Sequence, residues 1–199
     1  MKVSKEQMAE NRERILDAAA QLFRERGFAG IGVADLMKAV GLTHGGFYGH
    51  FDSKEELMAE ASARALEQSH EQWTKWAARA PEQPLEAIAS RYLSARHRDQ
   101  PGEGCALAAL SADAARQGSD VRDAMEHGLR ALADVLARHV PGRTAAVRRE
   151  RALAVCAGMI GALTLSRVVN DREFSEEILA ATLASFTRWM PAPSTGQEG

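Results

Sequence analysis

The tightest constraint on this chain is an apolar spacing of helical period that glycine closes off twice near the N-terminus. Ile15, Ala19, Leu22 and Phe23 fall at i, i+4, i+7 and i+8, one face of a helix. Gly27 follows the basic turn Arg24–Arg26, as a helix-ending glycine should. Val33, Leu36, Met37 and Val40 repeat the pattern at i, i+3, i+4 and i+7, and Gly41 stops it. Ser4 with Gln7 forms an S-x-x-Q capping box for the first helix. Thr43 is placed to cap a third helix of about two turns. Ser53, with Glu56, caps a fourth that begins Lys54-Glu55-Glu56 and meets no breaker before Pro81, long enough to connect two domains. Two short amphipathic helices joined across a glycine turn make a helix-turn-helix.

Beyond Pro81 and Pro84 the spacing stays helical, predicting helices at 84–98, 105–117, 120–139, 144–170 and 175–190. Ser175 is placed to cap the last, with Glu176 and Glu177 suited to its positive N-terminus, and Trp189 and Met190 end it. No segment reads as a strand and no repeat is present, so the expected class is all-α. The expected division is a three-helix domain holding the helix-turn-helix at 1–54, a helical domain at 55–190, and a tail at 191–199. The tail lacks large apolar residues and is expected to be disordered.

Charge and motif content narrow the function. The formal net charge is −2, and residues 1–54 hold 8 Lys+Arg against 7 Asp+Glu. Any nucleic-acid contact is therefore local, not a bulk field. Two cysteines far apart in sequence form neither a disulfide framework nor a zinc pattern. The start has no apolar signal segment, and no apolar run reads as approaching a membrane span of about 18 residues, so a cytoplasmic protein without membrane contact is expected. The six histidines make no H-E-x-x-H pair, Ser111-Ala112-Asp113 is not a nucleophile elbow, and no phosphate-cradling loop follows a strand. No enzyme activity, cofactor or metal is expected.

The stretch Thr43-His44-Gly45-Gly46-Phe47-Tyr48-Gly49-His50-Phe51 carries the functional signal. In a helix-turn-helix the second helix enters the major groove by its N-terminal residues. Glycine has no Cβ and lets backbone approach a surface closely, so Gly45 and Gly46 suit an outward face pressed against DNA. Phe47 and Phe51, four apart, anchor the inward face, which leaves Tyr48, His50 and Lys54 positioned to reach phosphates. Gly27-Phe28, Val33, Asp35-Leu36, Ala39, Gly41-Leu42-Thr43, Gly45, Phe47-Tyr48, His50-Phe51 and Ser53-Lys54-Glu55-Glu56-Leu57, in that order, resemble the DNA-binding domain of the tetracycline-repressor (TetR) family. The resemblance covers roughly residues 6–60, and the remainder matches in length and helical character.

That resemblance implies phosphate contacts from Tyr48 and Lys54, backbone and base contacts from Thr43, base reading by His44 and a phosphate contact from His50. It also places Lys5 and Arg12 near the backbone. Two departures stand out. Ile31-Gly32 replaces the Thr or Ser that commonly opens the second helix, and Gly46 replaces a side chain such as threonine. Direct base reading then falls to Thr43 and His44, with part of the specificity expected from DNA shape.

For the second half, the resemblance implies a homodimer made by the two final helices, here Met159, Leu163, Ile178, Leu179, Thr182, Leu183 and Phe186, bound to a palindromic double-stranded operator. The middle helices would enclose a small-molecule effector among Trp73, Trp76, Tyr92, His97, Leu107, Leu110, Met125, Leu129 and Met159. Cys105 follows Pro-Gly-Glu-Gly and opens a helix, a location that can make a thiol reactive, whereas Cys156 reads as packing. The expected function is a transcriptional repressor released by an effector. The alternatives are an electrophile or redox-sensing regulator acting through Cys105, and a helical interaction module that has lost DNA binding.

Overall fold

In the computed structural model the described residues are 4–187, and all their regular structure is helical. The elements are α1 (Lys5–Arg26), α2 (Val33–Ala39), a 3-10 helix (His44–Gly49), α3 (Lys54–Arg79), α4 (Pro84–Tyr92) and α5 (Ala95–Asp99). A short 3-10 turn (Pro101–Glu103), α6 (Ala106–Ala114), α7 (Ser119–Ala137), α8 (Ala145–Val168) and α9 (Arg172–Thr187) follow. Trp189, Met190 and the expected tail lie outside the described residues.

Capping chemistry sets many of these ends. Gln7 N donates to Ser4 Oγ at 3.1 Å, and Gly27 closes α1 with φ +73°. Glu56 N donates to Ser53 Oγ at 3.0 Å, while the Glu56 carboxylate accepts from Asp52 N at 2.6 Å. The serine arm of the box is in the expected register, and the glutamate arm reaches one residue further back, to Asp52 N. The helix expected at 84–98 is broken between α4 and α5. Ser94 Oγ donates to Arg91 O and accepts from His97 N, so its hydroxyl caps α5 where the pattern alone continues a helix. The cap of α9 is Asp171, whose Oδ1 accepts from Glu173 N and Phe174 N at 2.9 and 3.2 Å. Ser175, expected there, is buried inside the first turn.

The chain forms two compact units. The first joins the chain up to Ser69 with Gln100–Leu129, and the second joins His70–Asp99 with the chain from Arg130 on. The division falls within α3 and within α7. In the first unit Ile15, Phe23, Leu36, Met37, Phe47, Phe51, Leu57 and Leu66 are buried, and Phe23 meets Phe28 edge to face at 5.3 Å. Its later stretch is stitched to α1: Arg24 donates through Nε and Nη2 to Gly102 O, and Phe28 N donates to Asp113 Oδ2 at 3.4 Å. Gly128 lies against Leu66, where a Cβ would sit 2.6 Å from the leucine Cβ.

In the second unit Trp73, Leu85, Ile88, Tyr92, Leu132, Val155 and Leu163 are buried. Gly158 lets Phe186 of α9 lie directly on α8, since a Cβ there would be 2.9 Å from the ring. By length and composition alone, α8 is apolar enough to cross a membrane, contrary to the expectation that no stretch comes near. Its apolar residues serve two directions. Val155, Met159 and Leu163 are buried, whereas Leu153, Leu165 and Val168 are exposed.

Candidate nucleic-acid interface

The arrangement starts from α2. Gly32 is its N-cap with no side-chain hydrogen bond, so the hydroxyl missing from the sequence is replaced by nothing local. Gly41, at φ +72°, turns the chain, and Leu42 N donates back to Met37 O at 2.9 Å. The following segment is a six-residue 3-10 helix instead of two α-turns. Three of its six residues are glycine, each costing about 1 kcal/mol relative to alanine in a helix. Thr43 stands at its N-cap, but its hydroxyl makes no capping bond, unlike the expectation; its carbonyl accepts from Gly46 N at 3.0 Å.

The inward side of this turn is firm. Phe47 and Phe51 are buried and stack with centroids 5.7 Å apart. The Arg12 guanidinium lies 4.6 Å from the centre of the Phe51 ring and donates through Nη2 to both oxygens of Glu60. The outward side is open. Thr43, His44, Gly45, Tyr48 and Gly49 are exposed, Tyr48 at 65%. The Tyr48 ring is held by edge contacts to Phe47 at 5.2 Å and His44 at 6.3 Å, which aim the phenol away from the core. A Cβ on Gly45 would meet nothing within 4 Å, and one on Gly46 would make ordinary contacts with Thr43 and Met37. Neither glycine has positive φ. The fold of the chain therefore does not require them.

Several expected residues are placed differently. The Lys54 ammonium turns inward and donates to Phe28 O at 2.6 Å and Ile31 O at 2.8 Å. It clips the α1–α2 loop to the start of α3, and two of its three protons are committed there. Arg12 is likewise committed to Glu60. His50 is half-buried, and burial first, then the field of Arg12, holds its imidazole below the ordinary value. The missed cation is Arg14. It is exposed and donates through Nη2 to Val40 O at 2.7 Å, which brings a guanidinium to the turn from 26 residues away. Lys38 is exposed on α2 nearby in sequence. Arg14 shows no spacing signal, because its position depends on how α1 crosses α2.

Residues 15–61 match the model for bacterial regulatory proteins of the tetR family. Over that segment the chain is similar to the TetR family. It is 29% identical over 132 residues to the HTH-type transcriptional repressor NemR of Escherichia coli (strain K12), an alignment that takes in 65% of this chain and 66% of NemR. It is 31% identical over 85 residues to the HTH-type transcriptional regulator AcrR of Shigella flexneri, covering 43% of this chain and 40% of AcrR. The crystal structure of reduced E. coli NemR superposes with a TM-score of 0.79 at 24% identity, covering 94% of this chain and 100% of that one. At that identity the superposition establishes the shared fold. The matching family is one of bacterial regulatory proteins, and both relatives are transcription regulators by name.

The other expected sites of the chain are distributed as follows. Of the effector-pocket residues, Trp73, Trp76, Tyr92, His97 and Met159 belong to the second unit, and Leu107, Leu110, Met125 and Leu129 to the first. Trp73, Tyr92 and His97 do come together, with edge contacts at 5.6 and 4.6 Å. Burial, opposed by the hydrogen bond to Tyr92 O and aided by the field of Arg167, lowers the His97 pKa to about 4. Cys105 is the N-cap of α6 and only 3% exposed, so solvent does not reach its thiol in this conformation, and Cys156 is buried too. Of the expected dimer residues, Met159, Leu163, Leu179 and Phe186 are buried within one chain, and Ile178, Thr182 and Leu183 are partly covered. The exposed apolar residues of α8 and α9 include Leu153, Leu165, Val168 and Phe174, with Ala157 exposed and Gly161 open between the leucines.

Proposed function

We propose that the chain is a sequence-specific DNA-binding transcription regulator, a homodimeric repressor of the bacterial cytoplasm released from a palindromic operator by a small molecule. The observation that carries this reading is the 3-10 turn His44–Gly49. It is bare and exposed on one side, braced by two stacked phenylalanines on the other, and built with glycines its own fold does not need. In this reading Gly45 and Gly46 pass close to the duplex, Thr43 and His44 meet base edges, and the Tyr48 hydroxyl and His50 N–H reach phosphate. Arg14 and Lys38 supply the charge that Lys54 spends internally.

Dimerisation through the face of Leu153, Leu165, Val168 and Phe174 would set two such turns about 34–36 Å apart, one turn of DNA. An effector in the second unit, near Trp73, Tyr92 and His97, would favour a different spacing; α3 belongs in part to each unit. The effector can shift the equilibrium only by its difference in affinity for the two forms, and it and DNA must weaken each other equally.

Selection of bound fragments from random duplex DNA tests the reading. A two-fold symmetric motif is expected, bound in a salt-dependent way. Leu165→Glu should leave the fold intact, halve the mass in sedimentation and weaken binding to the full motif. Enrichment of no motif, by the wild type or by an effector-free preparation, would refute it.

A further inference from the structure

The junction of α5 with the α8–α9 turn brings three arginines to one cleft of about 350 Å³ within the second unit. Arg98 lies near the end of α5, Arg167 in the last turn of α8, and Arg172 at the start of α9. Arg98 is 9% exposed, and the lining serines Ser166 and Ser175 are 3% exposed. Arg98 Nε and Nη2 donate to Asp99 Oδ1 and Oδ2 at 2.7 and 3.2 Å, and Nη1 donates to Ser175 Oγ at 3.0 Å. Ser175 in turn donates to Ser166 O at 2.6 Å. Arg167 donates to the carbonyls of Arg98 and His97. Arg172 Nε donates to Glu176 Oε1 at 3.1 Å, along the exposed side of α9. The N-terminus of α9 is already capped by Asp171, so the cleft does not depend on it.

Three guanidinium groups thus line the cleft with a single carboxylate, and that carboxylate opens to solvent. The Asp99 side chain is 57% exposed although its partner Arg98 is buried. Its carboxyl is held below the usual range by the hydrogen bonds from Arg98, and then by the fields of Arg98, Arg172 and Arg167. All three cations therefore act on one point in the cleft. A planar guanidinium fork matches any oxyanion as well as it matches aspartate. We propose that this cleft binds a small oxyanion, the phosphate or carboxylate group of a ligand, and that Asp99 occupies the place as an internal competitor which yields by turning into solvent. If the arrangement were only a clamp fastening α5 to the α8–α9 turn, Asp99 would be a required partner and its removal would gain nothing.

The two cases give opposite signs. Inorganic phosphate and acetate are titrated calorimetrically into the full chain at constant ionic strength, which separates the two anion classes. Asp99→Asn should tighten phosphate or acetate by about fivefold, and Arg172→Ala should weaken it about fivefold, the size of one partly exposed charge. Arg149→Ala, on the exposed pair with Asp134 elsewhere on α8, should change nothing. Equal binding by all four proteins, or no binding by either wild type or Asp99→Asn, overturns the proposal. Asp99 and Arg172 are both exposed, so loss of fold is not expected. Should Asp99→Asn fail to fold, Arg172→Glu, which must abolish binding, supplies the same comparison. No DNA enters the measurement, so its failure leaves the DNA-binding reading intact.

Discussion

A methyl group added at position 45 separates a glycine kept for folding from one kept for an external surface. A Cβ at Gly45 would point into open space, and the backbone angles there are ordinary. Alanine at a compatible glycine position stabilises by about 0.4–1 kcal/mol, chiefly by restricting the unfolded chain. For a chain of this size that raises Tm by about 1–4 °C. Against DNA the sign reverses. A methyl or isobutyl group pushed into a close-packed contact costs about 1–3 kcal/mol, or roughly 5- to 150-fold in affinity. Gly45→Ala and Gly45→Leu would be compared with wild type by thermal denaturation and by anisotropy titration of the selected operator at fixed salt. The expected result is a higher Tm for Gly45→Ala with weaker binding, and still weaker binding for Gly45→Leu. Wild-type affinity in Gly45→Leu would refute the claim that this face meets the duplex. A fall in Tm together with affinity would return the glycine to the fold.

Four further variants test other contacts. Lys54→Met removes two charge-assisted hydrogen bonds from a half-buried ammonium and should cost about 2 kcal/mol, lowering Tm by roughly 4–8 °C. The salt slope of operator binding should not change, whereas Arg14→Ala should reduce it by about one. Gly128→Ala drives a Cβ into Leu66 and should lower the urea midpoint by the equivalent of about 1–3 kcal/mol. His97 has a folded pKa of about 4, below its ordinary value. Between about pH 6.5 and that value the unfolded chain binds the extra proton, so stability falls on acidification through this window, by about 3 kcal/mol at most. Urea unfolding of wild type and His97→Gln at several pH values should show a shallower decline for the variant.

The elements that sequence spacing captures are those whose signals are local. Ser4, Gly27, Gly41 and Ser53 act on their own neighbours, and each lies where the pattern puts it. The inward pair Phe47 and Phe51 follows from a four-residue interval. Signals that depend on a distant partner are hidden. Lys54 reads as a surface cation because nothing nearby announces the carbonyls of Phe28 and Ile31. Arg14 reads as an ordinary α1 residue until α2 is packed beside it. On α8, apolar residues surround so much of the helix that periodicity cannot say which face meets α9. The structure gives Met159 and Leu163 to the interior and leaves Leu165 and Val168 outside. Ser175 and Asp171 compete as caps on equal sequence merit, and Arg98 draws the serine inward.

The stitching of residues 100–129 onto the N-terminal helices bears on how the protein is made. On a ribosome the reading head emerges early, yet the Gly102 carbonyl that receives Arg24 and the Asp113 carboxylate that receives Phe28 N are translated much later. A nascent or truncated chain ending before them holds α1 without its brace. Competence to bind an operator should therefore arrive only with the downstream segment, and a fragment cut after the helix-turn-helix should be a poor substitute for the whole.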